Sequence, residues 1–540
     1  MRKLFALILV AAAASANEVS YKSLQSGPNG STTPLYDHGI HGEGQIVAFL
    51  DTGVDYDSCF FVEPDGSRPP INTRVDTYNV DLSRRKIVAY DFLYSCDQYP
   101  NAPGCDDPSS PTAYDNQGHG THAAASAVGD RATPIAHDYG DAVATGAKLI
   151  VQDAGYIGGD SCSQRPGIGC PVNLTPILDQ AYRQGARIHS NSWGDAQGSP
   201  FNPPTANYPQ SAHDVDAFVW SHPDMLIVFN TGNLGSTGPA PPSSVSAPGS
   251  AKNTLQVGGT RDGANHYADD VLSSFTLYGP TRDGRIKPDL VGPAFVMAGD
   301  AKVIFHGQTC GISFQPGTSW ASPSIAGAAA LVRQYYTAGY YPTGLATPGN
   351  AFTPSAALLK ATLIASARRV PFLASMRDTK PVPSNEQGFG FPVLGDAFYF
   401  PGETSKLRIA DVPLASGLTE GQTATMPVNA KAGTPLKIVL VWTDPPGIPR
   451  PVSDTTPQLV NDLDLRVTDP AGVVLLGNGQ ADHVNNVEAV SVAQPLSGNY
   501  SISVTAGRLG LGPRQSYALV VTGDIGDAVA QLRRARAVHH

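Results

Sequence analysis

The chain is predicted to be an α/β protein: a parallel sheet covered on both faces by helices, followed by a separate antiparallel β-sandwich. Three observations predict this. From about residue 45 to 400, apolar strand-like runs alternate with Ala-rich helical segments, the pattern of parallel strands joined by helical crossovers. After about residue 402 the texture becomes polar–apolar alternation at period two, interrupted by turns and by no helix pattern. The length of 540 residues accommodates one large domain and a smaller one.

The elements follow in chain order. "MRKLFALILVAAAASA" opens with Arg2 and Lys3, continues apolar, and ends Ala14-Ser15-Ala16. It reads as a secretory signal peptide over residues 1–16, cleaved after Ala16. The apolar run is too short to span a bilayer comfortably, and no later stretch is long and apolar enough to do so. Residues 17–401 form the expected α/β domain. "QIVAFL" (Gln45 to Leu50), "KLIVQD" (Lys148 to Asp153), "ARIHSNSW" (Ala186 to Trp193) and "MLIVFN" (Met225 to Asn230) read as buried strands. "GTHAAASAVG", "LTPILDQAYRQG" and "SPSIAGAAALVRQYY" read as helices. Residues 402–524 form the expected sandwich, with turns at Asp469-Pro470-Ala471-Gly472 and Ser497-Gly498-Asn499. Residues 525–540 read as a frayed tail.

Composition narrows the function classes. Charged residues are 15%, with 56 Gly and 46 Pro, a compact and loop-rich balance rather than a disordered one. Removing Arg2 and Lys3 takes the formal charge from -10 to -12. An acidic surface argues against nucleic acid or anionic membrane as the main partner. The six Cys are an even number in a chain expected to be exported. Cys96 and Cys105 flank one short loop, Cys162 and Cys170 another. Local pairing of each leaves Cys59 with Cys310. Asn29, Asn173 and Asn499 each begin an N-x-S/T sequon.

Three polar residues carry candidate chemistry. Asp51 ends a buried strand in "VAFLDTGVD", His119 opens a helix in "NQGHGTHAAASA", and Ser319 opens another in "GTSWASPSIAGAAALV". A Ser at the mouth of a buried helix is first of all an N-cap. It is also a place where free N–H groups and the helix dipole favour negative charge. In α/β folds, strand carboxyl ends and helix starts share one crevice, so the three can meet. A Ser hydroxyl needs a neutral imidazole to take its proton, and the imidazole needs a buried carboxylate to fix its tautomer. The chain order Asp, His, Ser is one of the few on which this constellation recurs. Asn233, in "FNTGNLG" past the strand Met225 to Asn230, offers an amide donor for a developing oxyanion. Pro323 cannot donate to the carbonyl one turn back, so the helix after Ser319 is expected to start loosely or kink.

"DTGVD", "GHGTHAA", "TGNLG" and "GTSWASP" together resemble the four signature regions of the subtilisin-like serine proteases, the subtilases of peptidase family S8. The resemblance implies a subtilisin-like fold, Asp51, His119 and Ser319 as the catalytic triad, and Asn233 in the oxyanion hole. "ARIHSNSWG", "SAPGSAKNTLQVGGT", "GPTRDGRIKPDL", "LVWTDPP", "LVNDLDLRVTDPAG" and "NNVE" are similar to the oxidatively stable alkaline protease branch, which carries a C-terminal, jelly-roll-like β-sandwich. It also implies that Ser192-Trp193-Gly194 pairs with an extended peptide as an edge strand. The function expected is a secreted, monomeric serine endopeptidase acting on proteins and peptides, with no cofactor for catalysis. An exopeptidase on the same fold, and a binding protein acting through the C-terminal domain, are the alternatives.

The chain departs from the family at several points. Trp320 stands where most subtilases have Met directly after the nucleophile, which removes an oxidisable group and adds bulk on the leaving-group side. "FTLYGP" replaces Phe-Ser-Ser-x-Gly-Pro. Only residues 17–44 lie between the expected cleavage site and the strand leading to Asp51, where subtilases usually carry a pro-domain; either none is needed or the sequence is incomplete. Other residues have two readings. His119 and His122 are spaced as a metal pair but have no third ligand nearby, so His122 reads as core or as support for the site. Trp193 reads as packing or as pocket lining. Asp462 and Asp464 alternate along one strand, either as a solvated face or, with Asp482, as a structural Ca²⁺ site.

Overall fold

The computed structural model describes residues 17–526, except 28–29, 101–104, 111–113, 116, 134–136, 139, 156–172, 195–205, 235–241, 262–269, 302–309 and 374–377. The expected signal peptide, the Cys162–Cys170 pair, the sequon at Asn29 and all but the first two residues of the tail lie outside the described residues.

The first domain opens with helices α1 (Asn17–Ser26) and α2 (Pro34–Asp37). Its strands are β1 (Ile46–Asp51), β2 (Ile71–Asn72), β3 (Ile87–Phe92), β4 (Lys148–Asp153), β5 (Ile188–Asn191), β6 (Leu226–Asn230), β7 (Leu255–Arg261), β8 (Val271–Leu272), β9 (Leu290–Pro293), β10 (Phe295–Gly299), β11 (Ile312–Pro316), β12 (Ala367–Arg368), β13 (Phe372–Leu373) and β14 (Phe391–Pro392). Its further α-helices are α3 (His119–Val128), α4 (Leu174–Arg183), α5 (Gln210–Ser221), α6 (Thr318–Thr337) and α7 (Ala356–Ser366).

Among the described residues, one ten-stranded sheet runs β13-β8-β7-β6-β5-β1-β4-β3-β2, with β9 also on β7. The strands β1 to β7 and β9 pair parallel, and β8 turns antiparallel against β7. β1, β3, β4, β5 and β6 are buried along nearly their whole length, as near-continuous Val, Ile, Leu and Ala runs require when both faces are covered. The two faces form separate apolar layers. One contains α3 and α6, with Val47, Phe49, Ala124 and Leu331. The other contains α4 and α5, with Ala48, Leu50, Leu178 and Phe218. The parallel sheet covered on both faces is thus as the apolar pattern predicts.

The period-two region forms eight strands: β15 (Lys406–Val412), β16 (Thr423–Ala430), β17 (Leu436–Val441), β18 (Asn461–Thr468), β19 (Val474–Leu476), β20 (Val487–Val492), β21 (Gly498–Leu509) and β22 (Tyr517–Gly523). They make two antiparallel sheets, β15-β22-β17-β20 and β16-β21-β18-β19. Ile438 and Leu440 from the first sheet and Leu463, Leu465, Ile502 and Val504 from the second share one core. Alternation selects that face: along β21 the burial pattern switches at nearly every residue.

Disulfides join Cys59 to Cys310 and Cys96 to Cys105. No helix among the described residues is long and apolar enough to cross a membrane.

Candidate active site

β1 lies between β4 and β5 and carries Asp51 at its carboxyl end. Asp51 is buried, and its Oδ1 accepts from the Thr52 N–H at 2.8 Å. The same oxygen meets His119 Nδ1 at 2.6 Å. That bond fixes the imidazole with Nδ1 as donor and leaves Nε2 as the basic nitrogen. Burial works against the charged imidazole, but the charge and hydrogen bond of Asp51 outweigh it and raise His119 above the ordinary histidine value.

His119 is held by the start of α3. Asp115 is buried and accepts from the N–H of Gly118 at 2.8 Å and of Thr121 at 2.7 Å, two of the donors a helix start leaves free. Its Oδ1 also accepts from Thr52 Oγ1 at 2.9 Å, and Thr52 Oγ1 in turn accepts from the Gly120 N–H at 2.9 Å. Asp115 therefore ties the end of β1 to the start of α3. Burial pushes its carboxyl up to about 6, with the Thr121 and Thr52 bonds opposing. Gly120 has no alternative here: a Cβ would lie 2.0 Å from the Gly53 carbonyl oxygen. Sequence reasoning did not find Asp115; its signal is an acid just ahead of a Gly-His-Gly-Thr helix start.

Ser319 is the second residue of α6, is mostly buried, and donates through Oγ to the Ser192 carbonyl at 3.3 Å. Its N–H lies in the first helical turn, where no intrahelical acceptor exists. The next residue, Trp320, brings its ring centroid to 4.9 Å from that of His119 and 4.4 Å from that of His122. The helix is continuous through Pro323. The expected loosening appears instead as a substituted bond: the Ser319 carbonyl, which Pro323 cannot reach, accepts from Ser192 Oγ at 2.7 Å.

Asn233 follows β6 by three residues and sits against the same helix mouth. Its Oδ1 accepts from the Thr318 N–H at 2.8 Å and from Thr318 Oγ1 at 2.9 Å. Both partners are donors to one atom, so that atom is the oxygen and the amide nitrogen is the free donor.

The remaining candidates separate. Trp193 is buried with its ring 5.3 Å from Phe229, so its side chain belongs to the packing. Gly194 stands on Ser246: a Cβ there would lie 2.5 Å from Ser246 Oγ. His122 is buried, its Nε2 has no partner, and burial drives its pKa down to about 3, so it is a neutral core histidine. In the second domain, Asp462 is bonded to His483 Nδ1 at 2.8 Å. Asp482 caps its own loop, accepting from the N–H groups of Val484 and Asn485 and from the amides of Asn478 and Asn485. Among the described residues, no group of three or more His, Cys, Asp or Glu side chains is placed to hold a metal ion, so Asp462, Asp464 and Asp482 do not converge as a ready-made ligand set.

Residues 42–390 match the model of the Subtilase family. A Dictyostelium discoideum protein, "Serine protease/ABC transporter B family protein tagA", is 25% identical over 94% of this chain and 32% of its own length. An Arabidopsis thaliana protein, "Subtilisin-like protease SBT3.18", is 25% identical over 36% of this chain and 26% of its own. The chain thus spans about a third or less of these relatives. Among solved structures, the prenylagaramide maturation protease PagA is 17% identical with a TM-score of 0.41, over 67% of this chain and 95% of that one. The matched region contains Asp51, His119, Asn233 and Ser319, and the chain belongs to the Subtilase family, the S8 serine peptidases.

Proposed function

We propose that the chain is a secreted serine endopeptidase with broad protein substrates. The observation that carries this reading is the 2.6 Å bond between buried Asp51 and His119 Nδ1, beside the helix mouth that presents Ser319. In this reading His119 Nε2 takes the proton of Ser319 as Oγ attacks the peptide carbonyl. Asp51 orients the ring and stabilises the imidazolium. The Ser319 N–H and the Asn233 amide nitrogen hold the oxyanion. His119 then protonates the leaving amine, and water resolves the acyl-enzyme. The main chain at Ser192-Trp193-Gly194 pairs with the extended substrate. Catalysis needs no cofactor, the partners are proteins and peptides, and the chain works as a monomer. The strand order of the second domain supports a jelly-roll winding.

The test is digestion of a denatured protein mixture with the mature chain and with Ser319→Ala, mapping cut sites by mass spectrometry. Internal cuts that vanish in the variant are expected. Trimming at termini alone would favour the exopeptidase alternative, and no Ser319-dependent cleavage would favour a binding role. A structural Ca²⁺ at Asp462, Asp464 and Asp482 requires His483 and Asn485 to yield their bonds. Two buried oxygens without partners, Asp462 Oδ1 and Glu488 Oε1, support acidity in search of a cation there. Chelation is expected to lower Tm, and an unchanged Tm would remove calcium from the account.

A further inference from the structure

The peptide-pairing residues and the oxyanion residue are extensions of neighbouring strands, 192–194 after β5 and 231–233 after β6. Between them lies Ser246. Its N–H and Oγ both donate to the Thr231 carbonyl, at 3.2 and 3.1 Å, and it closes on Gly194 so tightly that no Cβ fits. In the peptidase reading, a substrate paired along 192–194 and held at Asn233 would project the side chain of the residue being cleaved toward Ser246.

Ser246 begins a short buried segment that ends at the second domain. Ser250 N–H bonds back to the Ser246 carbonyl at 3.0 Å, and Ala251 N–H to Pro248 at 2.9 Å. Two residues beyond the turn is Lys252, with no exposed side-chain surface. Its ammonium has three acceptors, and all are in the second domain: the Asp444 carboxylate, the Pro445 carbonyl at 2.5 Å and the Gln458 carbonyl at 2.9 Å. The neighbouring Asn253 is locked similarly. Its amide donates to the Asp444 carbonyl at 2.8 Å and accepts from the Asp444 N–H at 2.9 Å. Asp444 is itself buried and also accepts from the N–H groups of Val460 and Asn461, at 3.0 and 2.7 Å. Every neighbour of that carboxylate is a donor.

We propose that the C-terminal domain sets the depth of the substrate side-chain pocket, with Asp444 as a positioning residue acting through Lys252 and residues 246–253 on Ser246. The inference rests on the peptidase reading. The segment has little slack, because a close-packed buried turn transmits displacement rather than absorbing it. Asp444→Asn turns an amide N–H against donors and leaves Lys252 without its counter-charge, a strain passed toward Ser246 against the hold of Asp216 on the N–H groups of Lys252 and Asn253, at 3.1 and 2.8 Å.

The experiment uses the full chain and matched peptide substrates that differ only at the residue before the cut, Ala against the largest side chain cleaved. In Asp444→Asn, kcat/KM for the large residue is expected to fall about tenfold, mainly through KM, and for Ala by less than about twofold. Labelling of Ser319 by a small fluorophosphonate is expected to keep its wild-type rate. An unchanged large-to-Ala ratio, or equal falls in both substrates and in labelling, would overturn the proposal. Should Asp444→Asn not fold, Lys252→Arg serves the same test, since a branched guanidinium cannot reproduce the three ammonium bonds. An unaltered ratio there would overturn it equally. A wild-type chain that neither labels nor cuts either substrate would instead overturn the peptidase reading.

Discussion

At the scale of single residues, the direction of one titration decides the acid limit of activity. In the proposed reaction His119 must be neutral to take a proton; burial lowers its pKa, and the charge and hydrogen bond of Asp51 outweigh that and raise it. Activity is therefore expected to be lost as pH falls through a midpoint above the ordinary histidine value. Asp51→Asn removes the raising influence and leaves burial, so the acid limb of kcat/KM should move to lower pH. The same change should lower kcat by about 10⁴, the size of loss seen when a triad carboxylate is made an amide elsewhere. An acid limb that does not move would mean that Asp51 does not set the charge of His119. Trp320 yields a second expectation. The position beside Ser319 holds no thioether, and the indole is buried against His119 and His122. Peroxide at levels that inactivate a Met-bearing subtilase should leave most activity intact, and Trp320→Met should restore sensitivity. Equal loss in both chains would place the oxidised residue elsewhere.

At the scale of elements, α6 shows how a helix defect is used. Pro323 deletes one bond of the first full turn, and Ser192 Oγ replaces it on the Ser319 carbonyl. The expected peptide-pairing strand is thereby fastened to the residue proposed to attack. Ser192→Ala leaves the buried Ser319 carbonyl unmet, which costs about 1–3 kcal/mol, and leaves Ser319 tied to the strand only through its Oγ bond to the main-chain carbonyl of residue 192. Lower Tm and lower kcat are expected together. A fall in Tm alone would make Ser192 a stability residue only. This coupling shows what the chain could and could not disclose before its fold was known. Asp51, His119, Asn233 and Ser319 are legible because each sits beside Gly or at the start of an Ala-rich helix, where local pattern is strong. The buried strands are legible because both faces are apolar. The tie of Asp115 to Thr52 and the side-chain bond of Ser192 to the Ser319 carbonyl are not, because only the fold brings those partners close. For Asp462 and Asp464, alternation places the acids along one strand but is silent about His483, whose Nδ1 bonds Asp462.

At the scale of the whole molecule, α7 shows why the second domain is not an appendage. All eleven residues of α7 are buried, so the helix has no solvent face. It packs on β6 and α6 of the first domain and on β17 and β22 of the second. Both of its ends are held from the second domain with charges of the sign the helix dipole favours. Near the N-terminus, Asp411 on β15 accepts from the N–H and Oγ of the cap residue Ser355, at 2.8 and 2.6 Å. Near the C-terminus, Lys437 on β17 donates to the Ala367 carbonyl at 2.6 Å. Deleting residues 402–540 would strip those caps and open one side of α7 to water. Each Leu or Ile newly exposed costs ~1.5–3 kcal/mol, so two or three remove most of an ordinary domain's 5–15 kcal/mol, roughly. A chain ending at residue 401 is therefore expected to aggregate, or to melt without cooperativity, and to show no fluorophosphonate labelling of Ser319. Solubility, a circular-dichroism melt and labelling of that fragment check this. A soluble fragment with a cooperative melt and wild-type labelling would mean that the first domain folds alone, leaving the second free for a separate task such as surface binding.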